Sequence, residues 1–174
     1  MSRRYDWSLR TLVSLLCGIT KIGSTTIAET TEYQACLNSQ CSSLDLGTRS
    51  LTGSIPNSMV NLTSLTQLDL QNNRLTGTMP TELGASTVLA YLYMHTNSLT
   101  GTVPTELGAL TALTYLYMHT NSLTGTLPTE LGALTALTYL HGGEASEEEA
   151  VSDTGDAAAT AKAALAWLCS GGSP

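Results

Sequence analysis

Hydrophobic residues return with a period of 24 residues through the middle of the chain. One copy of the unit reads LTQLDLQNNRLTGTMPTELG, where two leucines alternate with polar residues before an asparagine, another leucine and a Thr-Gly pair. Strict apolar–polar alternation predicts a short β-strand with one buried face. Four copies run from about Leu44 to Leu140, and a fifth starts and stops there. Since one copy buries only one edge alone, the copies are predicted to stack around a continuous core.

An asparagine follows the strand at the same register in three copies, at Asn73, Asn97 and Asn121. A side-chain amide at this place can bond turn backbone that would otherwise lack partners. This asparagine ladder is therefore predicted to be structural. The repeated apolar columns are likewise predicted to be core rather than a cofactor site.

In these residues the chain resembles the plant-type, 24-residue leucine-rich-repeat family, over roughly residues 41–140. The resemblance implies an α/β solenoid, a right-handed horseshoe of four to five repeats with short parallel β-strands on its concave face. It also implies similarity to short ectodomains of receptor-like proteins and receptor-like kinases, which bind proteins, peptides or glycans. The chain departs from the family at Arg49, where an asparagine is expected.

Two cysteines, Cys36 and Cys41, come just before the first strand. The family carries a cysteine pair at this place, so the resemblance implies a disulfide that closes an N-terminal cap over residues 29–43. The spacing is shorter than usual, and the family's tryptophan between the cysteines is missing. Such a bond needs an oxidising compartment. Asn61, in the sequence Asn-Leu-Thr, is a candidate N-glycosylation site.

The ends of the chain lie outside the repeats, which occupy residues 44–140. Residues 1–28 combine arginines with an apolar stretch and small residues near Ala28, a pattern typical of a secretory signal peptide or signal anchor. The same residues fit the 3.6-residue period of an amphipathic cap helix, and both interpretations stay open. Residues 141–155 form an acidic linker, and the alanine-rich residues 156–174 favour a helix. Three interpretations of this last segment stay open: it covers the last repeat, it is disordered, or the gene was mis-spliced.

Composition narrows the function. The chain of 174 residues has 12% charged residues and a net charge of −7 at pH 7. Nucleic-acid binding needs a basic stripe, so we expect no nucleic-acid partner. No apolar run reaches the ~18 residues that span a bilayer, so we expect no transmembrane helix apart from a possible N-terminal signal anchor. The sequence contains no HExxH, no phosphate-binding glycine loop and no nucleophile elbow. We therefore expect no enzyme activity, no cofactor and no metal, since His95 and His119 lack a third ligand in line.

The polar positions of each strand are predicted to face outwards on the concave side of the sheet. Because neighbouring strands lie about 4.8 Å apart, side chains from successive repeats meet there. Tyrosine offers a large apolar ring with a polar tip, which suits recognition of peptides and sugars. The predicted ligand-binding residues are Tyr91, Tyr93, His95, Tyr115, Tyr117, His119, Tyr139, Asp69, Gln67 and Gln71. Asp45 and Asp69 border this surface and favour a basic or hydroxyl-rich ligand. The tyrosines and histidines recur because the repeats were copied, so the same pattern is also expected on a surface that binds no ligand.

The sequence thus predicts a non-catalytic recognition module, secreted or on the cell surface, that binds a protein, peptide or glycan through its concave face. One alternative is an intracellular, cytoplasmic interaction scaffold with reduced cysteines. Another is an extracellular enzyme inhibitor or an ice-binding protein. The last of these is suggested by the threonines that flank a glycine in each repeat, because the regular array resembles the flat faces of ice-binding repeat proteins.

Overall fold

The computed structural model describes residues 25–141. Nine short strands and one α-helix, α1 (Thr31–Ser39), alternate with 3-10 segments in this part of the chain. In chain order the strands are β1 (Ser43–Asp45), β2 (Thr52–Gly53), β3 (Gln67–Asp69), β4 (Arg74–Leu75), β5 (Tyr91–Tyr93), β6 (Thr100–Gly101), β7 (Tyr115–Tyr117), β8 (Ser122–Leu123) and β9 (Tyr139–His141). The 3-10 segments are Ile27–Glu29, Asn57–Asn61, Thr81–Ala85, Thr105–Ala109 and Thr129–Ala133. The predicted signal peptide lies almost wholly outside the described residues, as do residues 142–174 with the predicted linker and C-terminal helix.

The concave sheet pairs equivalent residues of successive repeats. Its five strands are all parallel and run in the order β1-β3-β5-β7-β9. The central leucine of each strand lies opposite its own copy in the next, as Leu68 does with Leu92. The predicted solenoid and its one-repeat register are therefore confirmed. This register brings the outward residues of each strand into columns.

A second row of backbone hydrogen bonds runs along another side of the repeats. β2 pairs with β4, and β6 pairs with β8, all in parallel. Between these pairs the same pattern continues, since the amide of Thr100 donates to the carbonyl of Gly77 over 2.8 Å. The chain turns at the glycine of each Thr-Gly pair, and Gly101 has a φ of +78°. This left-handed conformation favours glycine because other residues gain a steric clash there.

The third side of each repeat is a 3-10 segment that starts after a proline. Proline suits this place because its fixed φ fits the first turn and its missing N–H needs no partner. The segments stack closely at the glycines of Thr81–Ala85 and Thr105–Ala109. A Cβ on Gly108 would lie 2.5 Å from the carbonyl oxygen of Glu130, and one on Gly84 would lie 2.3 Å from that of Glu106. Only a residue without a side chain allows this approach.

The core is a stack of aliphatic columns, one layer from each repeat. Leu68, Leu92 and Leu116 are fully buried. The layer from the last repeat is less complete, since Leu137 and Leu140 are only partly buried against the cluster. Transfer of such side chains from water supplies most of the favourable energy of folding.

The N-terminal end of this core is closed by the segment Ile27–Glu29 and by α1. Ile27 and Tyr33 are buried, and the hydroxyls of Tyr33 and Ser58 share a hydrogen bond of 2.7 Å. Thr26 forms a parallel bridge with Thr52. Because Ile27 belongs to the core, cleavage of a signal peptide after Ala28 would remove a buried residue. Cleavage before residue 25 would leave the cap whole.

Two further contacts hold the cap in place: a disulfide within it and an ion pair that joins it to the first repeat. Cys36 and Cys41 form a disulfide that joins the end of α1 to the approach to β1. Arg49, the residue that departs from the family pattern, binds Glu32 of α1 through an ion pair of 2.6 Å. The pKa of Glu32 is lowered, first by its hydrogen bond to Arg49. The departure therefore gives the first repeat a contact with the cap.

The asparagine ladder satisfies backbone groups between successive repeats. The side-chain amide of Asn97 donates to the carbonyls of Leu70 and Met94 over 2.9 and 3.1 Å, and its oxygen accepts from the amide of Leu75 over 3.0 Å. Asn73 and Asn121 make equivalent hydrogen bonds. Since unpaired backbone groups in an interior cost about 1–3 kcal/mol each, the ladder stabilises the three turns that carry it.

Candidate functional site

The concave sheet carries one continuous aromatic surface on β5, β7 and β9 and on the residues that follow them. We call it the aromatic face, and its members are Tyr91, Tyr93, His95, Tyr115, Tyr117, His119, Tyr139 and His141. Parallel pairing produces this surface, because each strand places its copies of the same ring one strand spacing apart. The leucine between the two tyrosines of each strand points into the core and holds the strand in place.

The outer column of the aromatic face consists of three stacked tyrosines. The ring centres of Tyr91 and Tyr115 lie 5.2 Å apart, and those of Tyr115 and Tyr139 lie 4.7 Å apart, with interplanar angles of 17° and 11°. In such a stack the rings cover each other's faces. A ligand therefore meets ring edges and hydroxyl groups along most of this column, which favours hydrogen bonding and edge contacts.

The middle column packs its rings at larger angles. Tyr93 and Tyr117 are 5.4 Å apart with their planes tilted by 43°. Tyr117 meets Tyr115 and His141 edge-on, at interplanar angles of 88° in both pairs. Desolvation is the main cause that raises the pKa of Tyr93, so this phenol stays neutral in ordinary buffers. The interlocking of stacked and edge-on rings makes the middle column a well-supported part of the surface.

Three histidine rings stack at the inner border of the aromatic face. The ring centres of His95 and His119 are 4.6 Å apart, and those of His119 and His141 are 3.9 Å apart. Each ring has one buried nitrogen without a hydrogen-bond partner: Nδ1 in His95 and His119, and Nε2 in His141. An added proton on Nδ1 of His95 or His119 would have no acceptor, so the arrangement favours the neutral form of these two imidazoles.

The pKa values agree with this geometry. Desolvation lowers the pKa of His119 to about 4, with the neighbouring His141 and His95 as further causes. Desolvation also lowers the pKa of His95, while Asp69 acts in the opposite direction. At pH 7 His95 and His119 are therefore uncharged. The aromatic face offers a ligand aromatic carbon and polar ring atoms.

His141 is the one member of this face that sequence reasoning missed. By strand register it lies opposite Tyr117 in the tyrosine column, but its ring stacks on His119. Position 143, the next place in the histidine register, is a glycine and supplies no ring. The sequence could have predicted this ring, because the last strand reads YLH where the two preceding strands read YLY.

The polar border differs from the predicted one. Asp69 is only 7% exposed, and its carboxylate accepts hydrogen bonds from the amide and the side chain of Gln71 over 3.0 and 2.8 Å. Asp69 therefore supports the border from within rather than offering an open acidic contact. Gln67, opposite Tyr91, and Gln71 are half-buried. Asp45 remains exposed, with one carboxylate oxygen bonded to the amide of Gly47.

The histidine stack does not form a metal site in the described residues. Within residues 25–141, no group of three His, Cys, Asp or Glu side chains is arranged to hold a metal ion. Stacking explains this, because the lone pairs of an imidazole lie in the ring plane. Near-parallel rings aim those lone pairs side by side, whereas a metal needs ligands that converge.

Two predicted features lie away from the aromatic face. Asn61 is exposed, and Gln40 bridges its carbonyl to the hydroxyl of Thr63, so the candidate glycosylation sequence is on the surface. Glycosylation itself remains a prediction. In the described part of the chain, no helix has the length and apolar character needed to cross a membrane.

Both the sequence and the fold are similar to those of known proteins. The family model described as Leucine Rich Repeat matches residues 64–86 and 112–134. The chain is thus a leucine-rich-repeat solenoid, and it resembles the plant-type repeats of receptor ectodomains. The complex of PEPR1 with AtPEP1 is 37% identical, with a TM-score of 0.57, over 58% of this chain and 14% of that one. The Arabidopsis receptor kinase HAESA, solved with the peptide hormone IDA and the co-receptor SERK1, is 34% identical, with a TM-score of 0.60.

The chain spans only a small part of those receptors. The HAESA match covers 69% of this chain but 20% of the HAESA chain. A third similar structure is a plant ice-binding protein, 30% identical with a TM-score of 0.54, covering 59% of this chain and 34% of that one. No curated protein matches at the sequence level. The shared part is therefore the repeat architecture.

Proposed function

We propose that this protein is a non-catalytic recognition module that binds a peptide or an exposed protein segment on its aromatic face. The observation that carries the proposal is the aromatic face itself, a surface of eight rings held by three paired strands. Tyrosine-rich surfaces of this kind gain contact area at a low cost in side-chain entropy. The peptide receptors among the similar structures support the same class of ligand.

The ligand that fits this surface is an extended segment with neutral polar and apolar side chains. The stacked tyrosines offer a row of hydroxyl groups about one strand spacing apart, and the imidazoles of His95 and His119 add neutral donors and acceptors. Asp45, on β1 of the same sheet, has an exposed carboxylate, which favours a cationic group at that end of the ligand. A glycan would bind the same hydroxyl groups. The experiment described below therefore compares peptide and glycan ligands directly.

We further propose that the protein acts outside the cytoplasm, in cell-surface or extracellular recognition. The Cys36–Cys41 disulfide supports this location, because disulfides persist in oxidising compartments and are rare in the cytosol. Extracellular receptors among the similar structures agree with it. A reduced intracellular scaffold would be expected to work without this bond.

The proposed function is tested by substituting Tyr93 and Tyr117 together with alanine. Peptides are first selected from a displayed random peptide library on the wild-type protein, and their Kd values are then measured for both proteins. We expect the double variant to keep its circular dichroism spectrum and to lose binding by about 10-fold or more, because buried aromatic contacts dominate such interfaces.

A matched control removes two side chains from a different surface. Glu106 and Glu130 lie exposed in the 3-10 segments, away from the strands, and their joint substitution by alanine is expected to leave the Kd unchanged. Equal binding by the tyrosine variant would refute the proposal. If parallel arrays select glycans but no peptides, the ligand of the aromatic face is a carbohydrate rather than a peptide.

A second candidate function is ice binding, favoured by a separate surface. Thr76, Thr100 and Thr124 are all exposed, as are the threonines two positions after each. The backbone ladder spaces them regularly, and Thr78 places its methyl group in the space that a Cβ on Gly101 would occupy. The regular array of threonines and the similarity to a plant ice-binding protein support this candidate.

Ice binding predicts that the protein inhibits ice recrystallisation and that Thr100→Lys abolishes the effect, since a long charged side chain would break a flat surface. Thr111→Lys is the matched control, because Thr111 is also exposed but lies after a 3-10 segment, outside this array. If the wild-type protein does not slow crystal growth, or if both variants behave alike, this candidate is excluded.

A further inference from the structure

The two ends of the solenoid are closed to different degrees. At the N-terminal end, Ile27, Tyr33 and Cys36 cover the first core layer and are at most 2% exposed. At the other end, Leu137 and Leu140 are only partly buried, although their counterparts Leu113 and Leu116 are fully buried one repeat earlier. The described residues therefore leave one apolar end layer open to water.

The backbone is open at the same end. β9 pairs with β7 along one edge, and in residues 25–141 no strand pairs with its other edge. An exposed strand edge with apolar neighbours is a site for association, which proteins usually cover with a helix or loop. Solenoids in particular need a terminal cap on their last repeat.

The chain itself supplies a segment of suitable chemistry. Another 33 residues follow His141, and the acidic residues 142–155 separate the repeats from an apolar segment over residues 156–174. This segment contains Leu165, Trp167 and Leu168 among alanines, a composition with strong helix propensity. The 14 residues between them reach up to about 45 Å when extended, so they do not limit where the segment can dock.

A second copy of the chain fits the open end less well. End-to-end contact of two copies would bring two acidic segments together at one interface, with glutamates at positions 144 and 147–149 in each. Like charges at close range oppose such an association. The same charges do not oppose docking of a segment that belongs to the chain and lies beyond them.

We propose that residues 156–174 dock on the open end of the solenoid and cover Leu123, Leu137 and Leu140 with Leu165, Trp167 and Leu168. This intramolecular cap would complete the core. It would also support β9, which carries Tyr139 and His141 of the aromatic face. The proposal concerns how the fold is closed and holds whether or not a peptide binds the concave side.

Tryptophan fluorescence tests the docking in the full chain. The chain has two tryptophans, Trp7 and Trp167, so Trp7→Phe leaves Trp167 as the only reporter. We expect blue-shifted emission from this variant and several-fold weaker quenching by acrylamide than for free tryptophan. A further change, Leu165→Asp, alters only the proposed cap and is expected to restore solvent-like emission without unfolding the repeats.

Changes on the solenoid side complete the test. Leu140→Ala in the Trp7→Phe background is expected to increase quenching of Trp167, whereas Val88→Ala, at an exposed apolar residue of an inner repeat, is expected to leave it unchanged. Solvent-like emission from the Trp7→Phe protein while its repeats are folded would overturn the proposal. Burial of Trp167 that increases with protein concentration would also overturn it, because a second copy would then be the occupant.

Discussion

Substitution of Gly108 by alanine is expected to destabilise the protein by about 3 kcal/mol, because overpacking against an element that cannot move away costs about 1–3 kcal/mol or more. The new Cβ would lie 2.5 Å from the carbonyl oxygen of Glu130, which is backbone and has no rotamer to change. Gly108 does not have a positive φ, so the cost comes from space rather than from backbone conformation. Thermal unfolding should show a melting temperature lower by roughly 10 °C or more.

The control is Gly47→Ala. A Cβ on Gly47 would meet the side chains of Asp69 and Gln71 at 3.1 and 3.2 Å, and both side chains can move slightly. We expect a change below about 1 kcal/mol, since alanine also reduces the entropy of the unfolded chain. Similar melting temperatures for the Gly108 and Gly47 variants would contradict the close stacking of Thr105–Ala109 on Thr129–Ala133.

Acidification is expected to destabilise the protein through the histidine stack. The pKa of His119 is about 4 in the folded state, against an ordinary value of 6.5 for histidine. Below pH 6.5 the unfolded chain therefore binds a proton that the folded chain does not, and stability falls as the pH is lowered towards 4. Below that pH both states are protonated at this residue, and its contribution to the loss levels off. The expected loss is about 2 kcal/mol, less than the full shift implies because the ring is partly exposed to solvent.

His119→Phe isolates this contribution. Phenylalanine retains a ring in the stack between His95 and His141 but carries no proton to titrate. Urea unfolding at pH 7 and at pH 4.5 should show a smaller loss of unfolding free energy for the variant than for the wild type, and carboxylates that titrate in both proteins cancel in the comparison. An equal loss in both proteins would contradict a neutral, desolvated His119.

The repeat pattern was sufficient to predict the fold because each of its four copies predicts the same strand and the same turns. The alternation around Leu68 predicts a strand, and the 24-residue period predicts which residue lies beside it, so the pairing of Leu68 with Leu92 follows without further information. The position of the outward tyrosines follows from the same two facts.

The parts that the pattern did not predict depend on contacts that do not repeat. His141 stacks on His119 because the next residue in that register is glycine, which only the end of the array reveals. Asp69 turns towards Gln71, a local hydrogen bond that its two tyrosine counterparts cannot make. The ion pair between Arg49 and Glu32 joins the first repeat to a cap that has no copy elsewhere in the chain.

The most direct measurement of ligand binding on the aromatic face is NMR of the protein labelled with carbon-13 in its tyrosine rings. A selected peptide is titrated in, and the ring signals are followed to saturation. If the peptide binds the aromatic face, the signals of Tyr91, Tyr93, Tyr115, Tyr117 and Tyr139 shift, while that of Tyr33, buried in the cap, does not. Saturable binding that leaves all five concave tyrosines unchanged would show that the ligand binds elsewhere.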